Sequence, residues 1–406
     1  MQKIIFHIDV NSAYLSWTAV DMLANGSDVD IREIPAIIGG DQQSRHGIVL
    51  AKSVPAKRYG IRTGEPVAQA MRKCPNLHME PPNHNLYSRY SARLMDFLRT
   101  YKADIEQVSV DECYMDFTGI AGRFASPVEA AMEIKQRVYD TFGFTVNVGI
   151  SSNKLLAKMA SDFEKPNRVH TLFSEEIQIK MWPLPVGELF MAGKSSVEVL
   201  HKLEINTIGE LAQTDPALLE LHLKSHGRML WEFANGIGED AVQSEERAAK
   251  GIGNSTTLAR DVEKREDAEA VLEKLAEKVA GRLRASGQRA GMISVEIRYY
   301  NFQNTSHQKQ LGKATDDGNM LYREACSLFE ELWSGEPIRL LGIRTSKLVE
   351  EEQLEQLSIF DIQPVLEEAR AKKEKKEKHQ KLDAVMEQIK KRYGDDVIMR
   401  GTDRKH

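Results

Sequence analysis

Three cysteines in 406 residues, Cys74, Cys113 and Cys326, are too few for a disulfide framework and too far apart for a CxxC zinc pair. They read as reduced core thiols. No apolar run approaches the roughly 18 to 20 residues that a bilayer crossing requires. Any excess of basic charge is missing too: 55 Lys and Arg stand against 60 Asp and Glu, a formal charge of -5. The overall balance gives no sign of nucleic-acid binding, so a surface of that kind has to be local. The start, MQKIIFHIDV, is too short and too soon acidic for a signal peptide, and the expectation is a cytoplasmic protein with no membrane association. What remains, 41% hydrophobic and 28% charged residues, is a globular composition, and the length suggests roughly two to four domains.

Local punctuation sketches the elements. IIFHIDV, residues 4 to 10, fits a buried strand with Asp9 near its end. A helix follows, opened by Asn11 or Ser12 and closed by Gly26. Beyond an irregular Gly-, Pro- and base-rich stretch, a helix near 85 to 101 leads into EQVSVDECYMDFTG. Ser126-Pro-Val-Glu129 is an N-cap, a proline at the first helical position and a capping-box glutamate, opening a helix that Gly143 ends. FTVNVGI, NKLLAKMASDF and RVHTLF then read as strand, helix and strand. The order begins as a split βαβ plan with residues 11 to 80 inserted after its first strand, an α+β arrangement.

Within that plan Asp111 and Glu112 interrupt a run of strand formers, where acids are depleted. A hairpin pairing 105 to 110 with 113 to 117 places both at its tip, and Asp-Glu is poor turn chemistry but a good pair of oxygen ligands. The first strand lies beside this hairpin in the split plan, which brings Asp9 to the same point. Three converging carboxylates repel one another unless a divalent cation joins them, and all-oxygen ligation suits magnesium or manganese. A solvated acidic turn and an unrelated strand-end aspartate fit the same residues.

Further along, Ser195 to Glu198 and Thr207 to Glu210 read as capping boxes on either side of a short connection. Gly193, before the first, offers freed backbone amides of the kind a helix-hairpin-helix uses on a DNA backbone, though plain helix packing also explains the pattern. GIGEDAVQSEERAAKGIGNSTT reads as a polar linker. After it come a helix over 267 to 285, strands near 291 to 301 and 307 to 314, a helix over 318 to 333 and a strand over 338 to 348. Arg284, Arg289, Arg298 and Lys309 in the stretch from 282 to 313, with Arg339, Arg344 and Lys347 on the last strand, make this region basic against the acid Glu296, either as a phosphate-contacting sheet or as a solvated face.

HIDVNSAYLSW, the RYGIRTGEPVAQAMRKCPNL block, VSVDECYMDFTG and VGISSNKLLAKMASDFEKPN, in this order and spacing, resemble the Y-family translesion DNA polymerases of the bacterial DNA polymerase IV group. The resemblance runs over roughly residues 1 to 360. It implies a multidomain right-hand polymerase with a ferredoxin-like palm (1–10 and 81–170), small fingers (11–80), a helical thumb carrying the helix-hairpin-helix (171–235) and a linker (236–250). An α+β little finger (251–348) and a tail (349–406) complete it. The implied activity is template-directed, error-prone addition of deoxynucleotides to a primer 3′ end in damage tolerance, without proofreading.

By the same resemblance Asp9, Asp111 and Glu112 are the catalytic carboxylates. They would hold two Mg²⁺ ions, or Mn²⁺ in substitution, together with the backbone carbonyl of Val10. Tyr14 matches a steric gate against the 2′-hydroxyl, with Trp17 the better fit to a core aromatic. Lys165 and Lys57 match residues reaching the triphosphate. Here the chain departs from pattern: the common Tyr-Glu-Ala-Arg is Val54-Pro-Ala-Lys57, so a hydroxyl is lost and a guanidinium fork becomes a point charge. Asn11 replaces a frequent acid, and Met191 stands where glycine is usual in the hairpin motif.

Gln356-Leu357-Ser358-Ile359-Phe360 resembles the pentapeptide that docks bacterial polymerases on the β sliding clamp. Exposed Ile and Phe in a polar tail otherwise need another explanation, such as folding back on the neighbouring domain. A charged helical pattern with a sparse stripe at Leu382, Val385 and Ile389 follows. Primer-template DNA, deoxynucleoside triphosphates and the clamp are the expected partners of a monomeric enzyme. A nucleotidyl cyclase also uses paired carboxylates on such a sheet but has no use for a clamp peptide. A silent clamp- and DNA-bound scaffold has no need of Asp9, Asp111 and Glu112 together.

Overall fold

The computed structural model describes residues 3–40, 47–245 and 248–350, with 384–386, 388 and 392. The pentapeptide 356–360, Leu382 and Ile389 lie outside the described residues. Among the described residues no helix is long and apolar enough to cross a membrane.

The chain opens with β1 (Ile5–Val10) and α1 (Ala13–Ala24). Ser12, one of the two expected residues, is the N-cap of α1, but it takes a left-handed conformation and its side chain makes no cap hydrogen bond. The inserted region adds β2 (Ala36–Gly39), β3 (Val49–Lys52), α2 (Val54–Arg58), α3 (Val67–Lys73) and β4 (His78–Glu80). It carries its own small sheet, in the order β3-β2-β4.

The chain returns through α4 (His84–Arg99), β5 (Asp104–Gln107), β6 (Glu112–Asp116), α5 (Pro127–Phe142), β7 (Val146–Ser151), α6 (Lys154–Asp162) and β8 (Val169–Thr171). Ser126 accepts from the Glu129 amide, Pro127 follows, and Gly143 closes α5 at φ 75°, as its local sequence dictates. The main sheet runs β5-β6-β1-β7-β8, the ferredoxin-like order with one strand appended. On it, α1, α4 and α5 bury Trp17, Leu94, Ile134 and Val138 against Phe6, Ile8 and Met115. On the other side α6 lies against β1 and β7, an approach that Gly149 permits, since any Cβ there would run into the α6 backbone at Ala157 and Ser161.

A helical region follows: α7 (Lys194–Lys202), α8 (Ile208–Gln213), α9 (Pro216–Leu223) and α10 (Ser225–Ala234). Thr207 and Glu210 form the expected capping box, whereas Ser195 does not cap: α7 starts two residues earlier, with Gly193 at the N-cap. Met191 takes a φ of 71°, the left-handed conformation that the glycine usual there adopts without strain. Leu155, Leu156 and Met159 of α6 pack into this helical core, so α6 is shared between two layers.

The segment read as a linker is not free of the domain before it. Residues 236–244 are strapped to the edge of the main sheet: the Lys154 amide donates to the Glu239 carbonyl, the Gln243 amide to Glu106, and Ser244 to Asp104. The second α+β unit then comprises β9 (Gly251–Val262), α11 (Arg265–Ala285), β10 (Gln288–Tyr299), β11 (Asn304–Thr315), α12 (Gly318–Leu332) and β12 (Ile338–Glu350). Its sheet is ordered β11-β10-β12-β9, and both helices cover one face. The polar, Gly-rich sequence of β9 concealed a strand. On the open face stand Arg298 and Arg344, while Lys309 faces the helices and pairs with Glu324 at 2.7 Å. The basic sheet is therefore narrower than its sequence suggests.

Candidate active site

The three acids meet through strand register. β1 lies between β6 and β7, with Asp9 opposite Glu112 on one side and opposite Asn147 on the other. Directly opposed residues share a face, so Glu112, Asp9 and Asn147 form one row across three strands. The turn differs from expectation. β5 and β6 are joined by residues 108–111, with the Val108 and Ser109 amides both donating to the Glu112 carbonyl, so Glu112 begins a strand and only Asp111 sits in the loop. The Asp111 carbonyl accepts from the Val10 amide at 3.0 Å, which ties that loop to the end of β1.

Each carboxylate has its own partner. Glu112 accepts from Lys158 at 2.8 Å, and His7 Nε2 lies 3.2 Å away, close but off the line of a well-aligned hydrogen bond. The His7 ring, then Lys158, hold the Glu112 carboxyl down at about 2 against the opposing effect of burial. Burial pushes the His7 imidazole down, towards its neutral form. Asp9 is pushed up by burial and pulled back by the ammonium of Lys165, which it contacts directly. Lys165 also pairs with Asp162 at 2.8 Å. Asp111 accepts from the Ser109 hydroxyl at 2.6 Å.

These groups border a cleft of about 510 Å³ whose lining includes Asp9, Val10, Tyr14, Lys52, Val54, Lys57, Asp111 and Lys165. It therefore unites nearly all the catalytic and substrate-binding residues singled out from the sequence, with Glu112 outside the lining but beside Asp9 in the same row. Tyr14 is fixed there by stacking on Tyr87, centroids 4.3 Å apart and planes 9° off parallel, with His84 edge-on at 6.1 Å. Trp17 is fully buried in the core, as expected.

The donors are all oxygen, two carboxylates and a carbonyl on the cleft with a third carboxylate adjacent, which fits a hard divalent cation. As placed, no three acid, histidine or cysteine side chains among the described residues surround a common point, because Lys165, Ser109 and Lys158 each hold one acid. Lys165 holds one oxygen of Asp9, Oδ2.

Sequence reasoning missed the supporting residues. His7 and Lys158 lie within quoted motifs, but their contact with Glu112 spans 105 and 46 positions and needs the folded sheet and α6. Asn11 proves to be part of a buried amide relay. Its Nδ2 donates to Asn147 Oδ1 at 3.0 Å, and its Oδ1 accepts from Thr145 at 2.9 Å and from the Asn167 amide at 2.8 Å. Asn147 in turn donates to the Ser161 and Glu164 carbonyls and accepts from the Arg168 amide. The loop that carries Lys165 is thus held by the pair that replaces the usual acid.

Comparison with known proteins agrees with this geometry. Residues 8–162 match the impB/mucB/samB family model and 249–359 its C-terminal domain model. DNA polymerase IV of Clostridium acetobutylicum is 47% identical over 401 residues, covering 98% of each chain. DNA polymerase IV 1 of Bacillus subtilis is 37% identical, over 98% of this chain and 92% of its own. A solved Y-family DNA polymerase chimera superposes with a TM-score of 0.75 at 22% identity, over 86% of this chain and 99% of its own, which speaks for the fold. On these matches the chain belongs to the impB/mucB/samB family, within the bacterial DNA polymerase IV group of the Y-family polymerases.

Proposed function

We propose that this protein is a template-directed DNA polymerase that adds deoxynucleotides to a primer 3′ end and serves error-prone translesion synthesis. The observation that carries the reading is the row of Asp9 and Glu112 across β1 and β6, with Asp111 tied to the same strand end, on a cleft that also holds an aromatic platform and lysines. In this reading the main sheet with α4 to α6 is the palm, the insert of 11–80 the fingers, α7 to α10 the thumb and 251–348 the little finger.

Asp9, Asp111, Glu112 and the Val10 carbonyl would hold two Mg²⁺ ions, whose chemistry is to acidify the primer hydroxyl and stabilise the leaving pyrophosphate. The chain's own residues do the rest. His7 and Lys158 keep Glu112 ionised. Lys165, released from Asp9, moves its charge to the triphosphate, where Lys57 meets it from the opposite wall. Tyr14, immobilised by Tyr87 and His84, lies under the sugar and leaves no room for a 2′-hydroxyl. Charge stabilisation by these fixed groups is the larger part of such phosphoryl transfer.

The proposed partners are primer-template DNA and the sliding clamp, the latter through Gln356 to Phe360, and the proposed working form is a cytoplasmic monomer. Deleting 356–360 then abolishes clamp stimulation and spares distributive synthesis; equal stimulation of both forms rejects the clamp reading. The test of the function is primed-template extension with each deoxynucleotide and Mg²⁺, wild type beside Asp111→Ala. The reading expects addition by the wild type and loss of at least about a thousandfold in the variant with primer-template affinity kept within a few fold. Full activity of the variant overturns the carboxylate assignment.

A further inference from the structure

Strand β3 ends in a lysine for which the fold itself has no use. Burial alternates along Val49, Leu50, Ala51 and Lys52, and Lys52 lines the same cleft as Asp9, Tyr14, Lys57 and Lys165. Its ammonium has one hydrogen bond among the described residues, to the Thr63 hydroxyl at a long 3.3 Å. Glu65, the acid that favours its charge, is bound by Lys73 at 2.5 Å. Ser53 follows at once as the N-cap of α2, whose last turn carries Lys57. The Lys57 ammonium makes no ion pair or hydrogen bond among the described residues, its backbone alone being bonded, to Ser53 and Gly60. Lys52 and Lys57 thus share one wall of the cleft, and burial together with the charge of Lys57 presses on the Lys52 ammonium.

Two cations set close without an intervening acid cost the free protein stability, and an anion placed between them recovers it. The carboxylates Asp9 and Asp111 line the same cleft from the main sheet and its β5-β6 loop, whereas Lys52 and Lys57 line it from the insert. The cleft therefore has an acid wall suited to cations and a basic wall suited to a polyanion. On the basic wall Val54 supplies no hydroxyl and Lys57 supplies a point charge, so the donors common to the family at these positions are reduced. Lys52 adds three N–H donors at the same place.

We infer that Lys52 is a triphosphate-binding residue, which with Lys57 grips the outer phosphates of the incoming nucleotide. The inference rests on the polymerase reading and assigns to Lys52 part of the grip that Val54 and Lys57 lack. It is a binding role: the contact is made to phosphates present in ground state and transition state alike, so its loss raises KM and leaves kcat nearly unchanged.

The experiment is single-nucleotide insertion on a primed template with a titration of deoxynucleoside triphosphate, comparing wild type, Lys52→Met, Lys52→Gln and Lys52→Arg. Inhibition by inorganic pyrophosphate, primer-template affinity and melting temperature are measured in parallel. Removing the charge in Lys52→Met should raise KM about tenfold or more with kcat within about threefold, and weaken pyrophosphate inhibition by a similar factor. Lys52→Arg should stay within about threefold of wild type, primer-template affinity should not move, and the melting temperature of the uncharged variants should hold or rise, since one of two close cations is removed. Lys52→Gln replaces Lys52→Met if the latter fails to fold. A KM within twofold of wild type in the uncharged variants, or a fall in kcat alone, overturns the inference while leaving an active wild type, and hence the polymerase reading, standing. Absence of any templated insertion by the wild type overturns the reading and this inference with it.

Discussion

Asn11→Asp restores the acid usual at that position in the family, and the structure predicts that the change is harmful here. Asn11 is 8% exposed and Asn147 is fully buried. The Nδ2 to Oδ1 bond between them, 3.0 Å long, would become a carboxylate oxygen facing a carbonyl oxygen. The loss of one buried hydrogen bond and the opposition of two acceptors costs about 1 to 3 kcal/mol. The amides of Asn167 and Arg168 report on it directly, because they donate to Asn11 Oδ1 and Asn147 Oδ1. At about 1.4 kcal/mol per decade, their protection against hydrogen exchange falls roughly 5- to 150-fold. Lys165 rides on the same loop, so KM for the nucleotide rises as well. Hydrogen-exchange mass spectrometry of peptides spanning 164–168, run beside nucleotide titrations, measures both. Unchanged protection together with unchanged KM refutes the claim that the Asn11 to Asn147 relay positions Lys165.

Three further outcomes are expected. Tyr14→Ala opens the space under the sugar and raises ribonucleotide insertion relative to deoxynucleotide by on the order of 10- to 200-fold, measured by competing the two on one template; unchanged discrimination removes the gate. Gly149→Ala drives a Cβ into the α6 backbone at Ala157 and Ser161, and costs about 3 kcal/mol, seen as an earlier denaturant midpoint; a wild-type midpoint refutes the packing argument. Glu112, held at about 2 in the fold against 4.5 ordinarily, contributes up to about 3 kcal/mol above pH 4.5. Because its folded value is depressed, that stability is lost as pH falls from 4.5 towards 2, and Glu112→Gln flattens stability over that window; the same acid slope in Glu112→Gln removes this account of the charge.

What the sequence made legible was largely local. Ser126, Pro127 and Gly143 specify the ends of α5 through contacts within a few residues, and Thr207 with Glu210 does the same for α8. The split βαβ order was legible because each strand and helix carries its own periodicity. The turn between β5 and β6 was not. Val108 and Val110 are strand formers by propensity, yet they stand exposed in a loop whose shape is set by two amides converging on the Glu112 carbonyl. β9 was hidden for the opposite reason: its glycines and hydroxyl residues read as linker, and pairing with β12 overrides them. The carboxylates were recognisable as a motif, whereas His7, Lys52, Asn147 and Lys158 acquire their roles only when strands and α6 are brought together. Lys309 shows the limit of counting charge along a strand, since register turns it towards Glu324.

The central claim is that the cleft at the end of β1 performs templated nucleotide addition. The most direct measurement is a matrix of single insertions, four templating bases against four deoxynucleoside triphosphates, with wild type and Asp9→Asn at equal primer-template occupancy. The account predicts insertion that follows the templating base in the wild type and loss of all insertion in the variant. Insertion independent of the template, or a variant as active as the wild type, would contradict it.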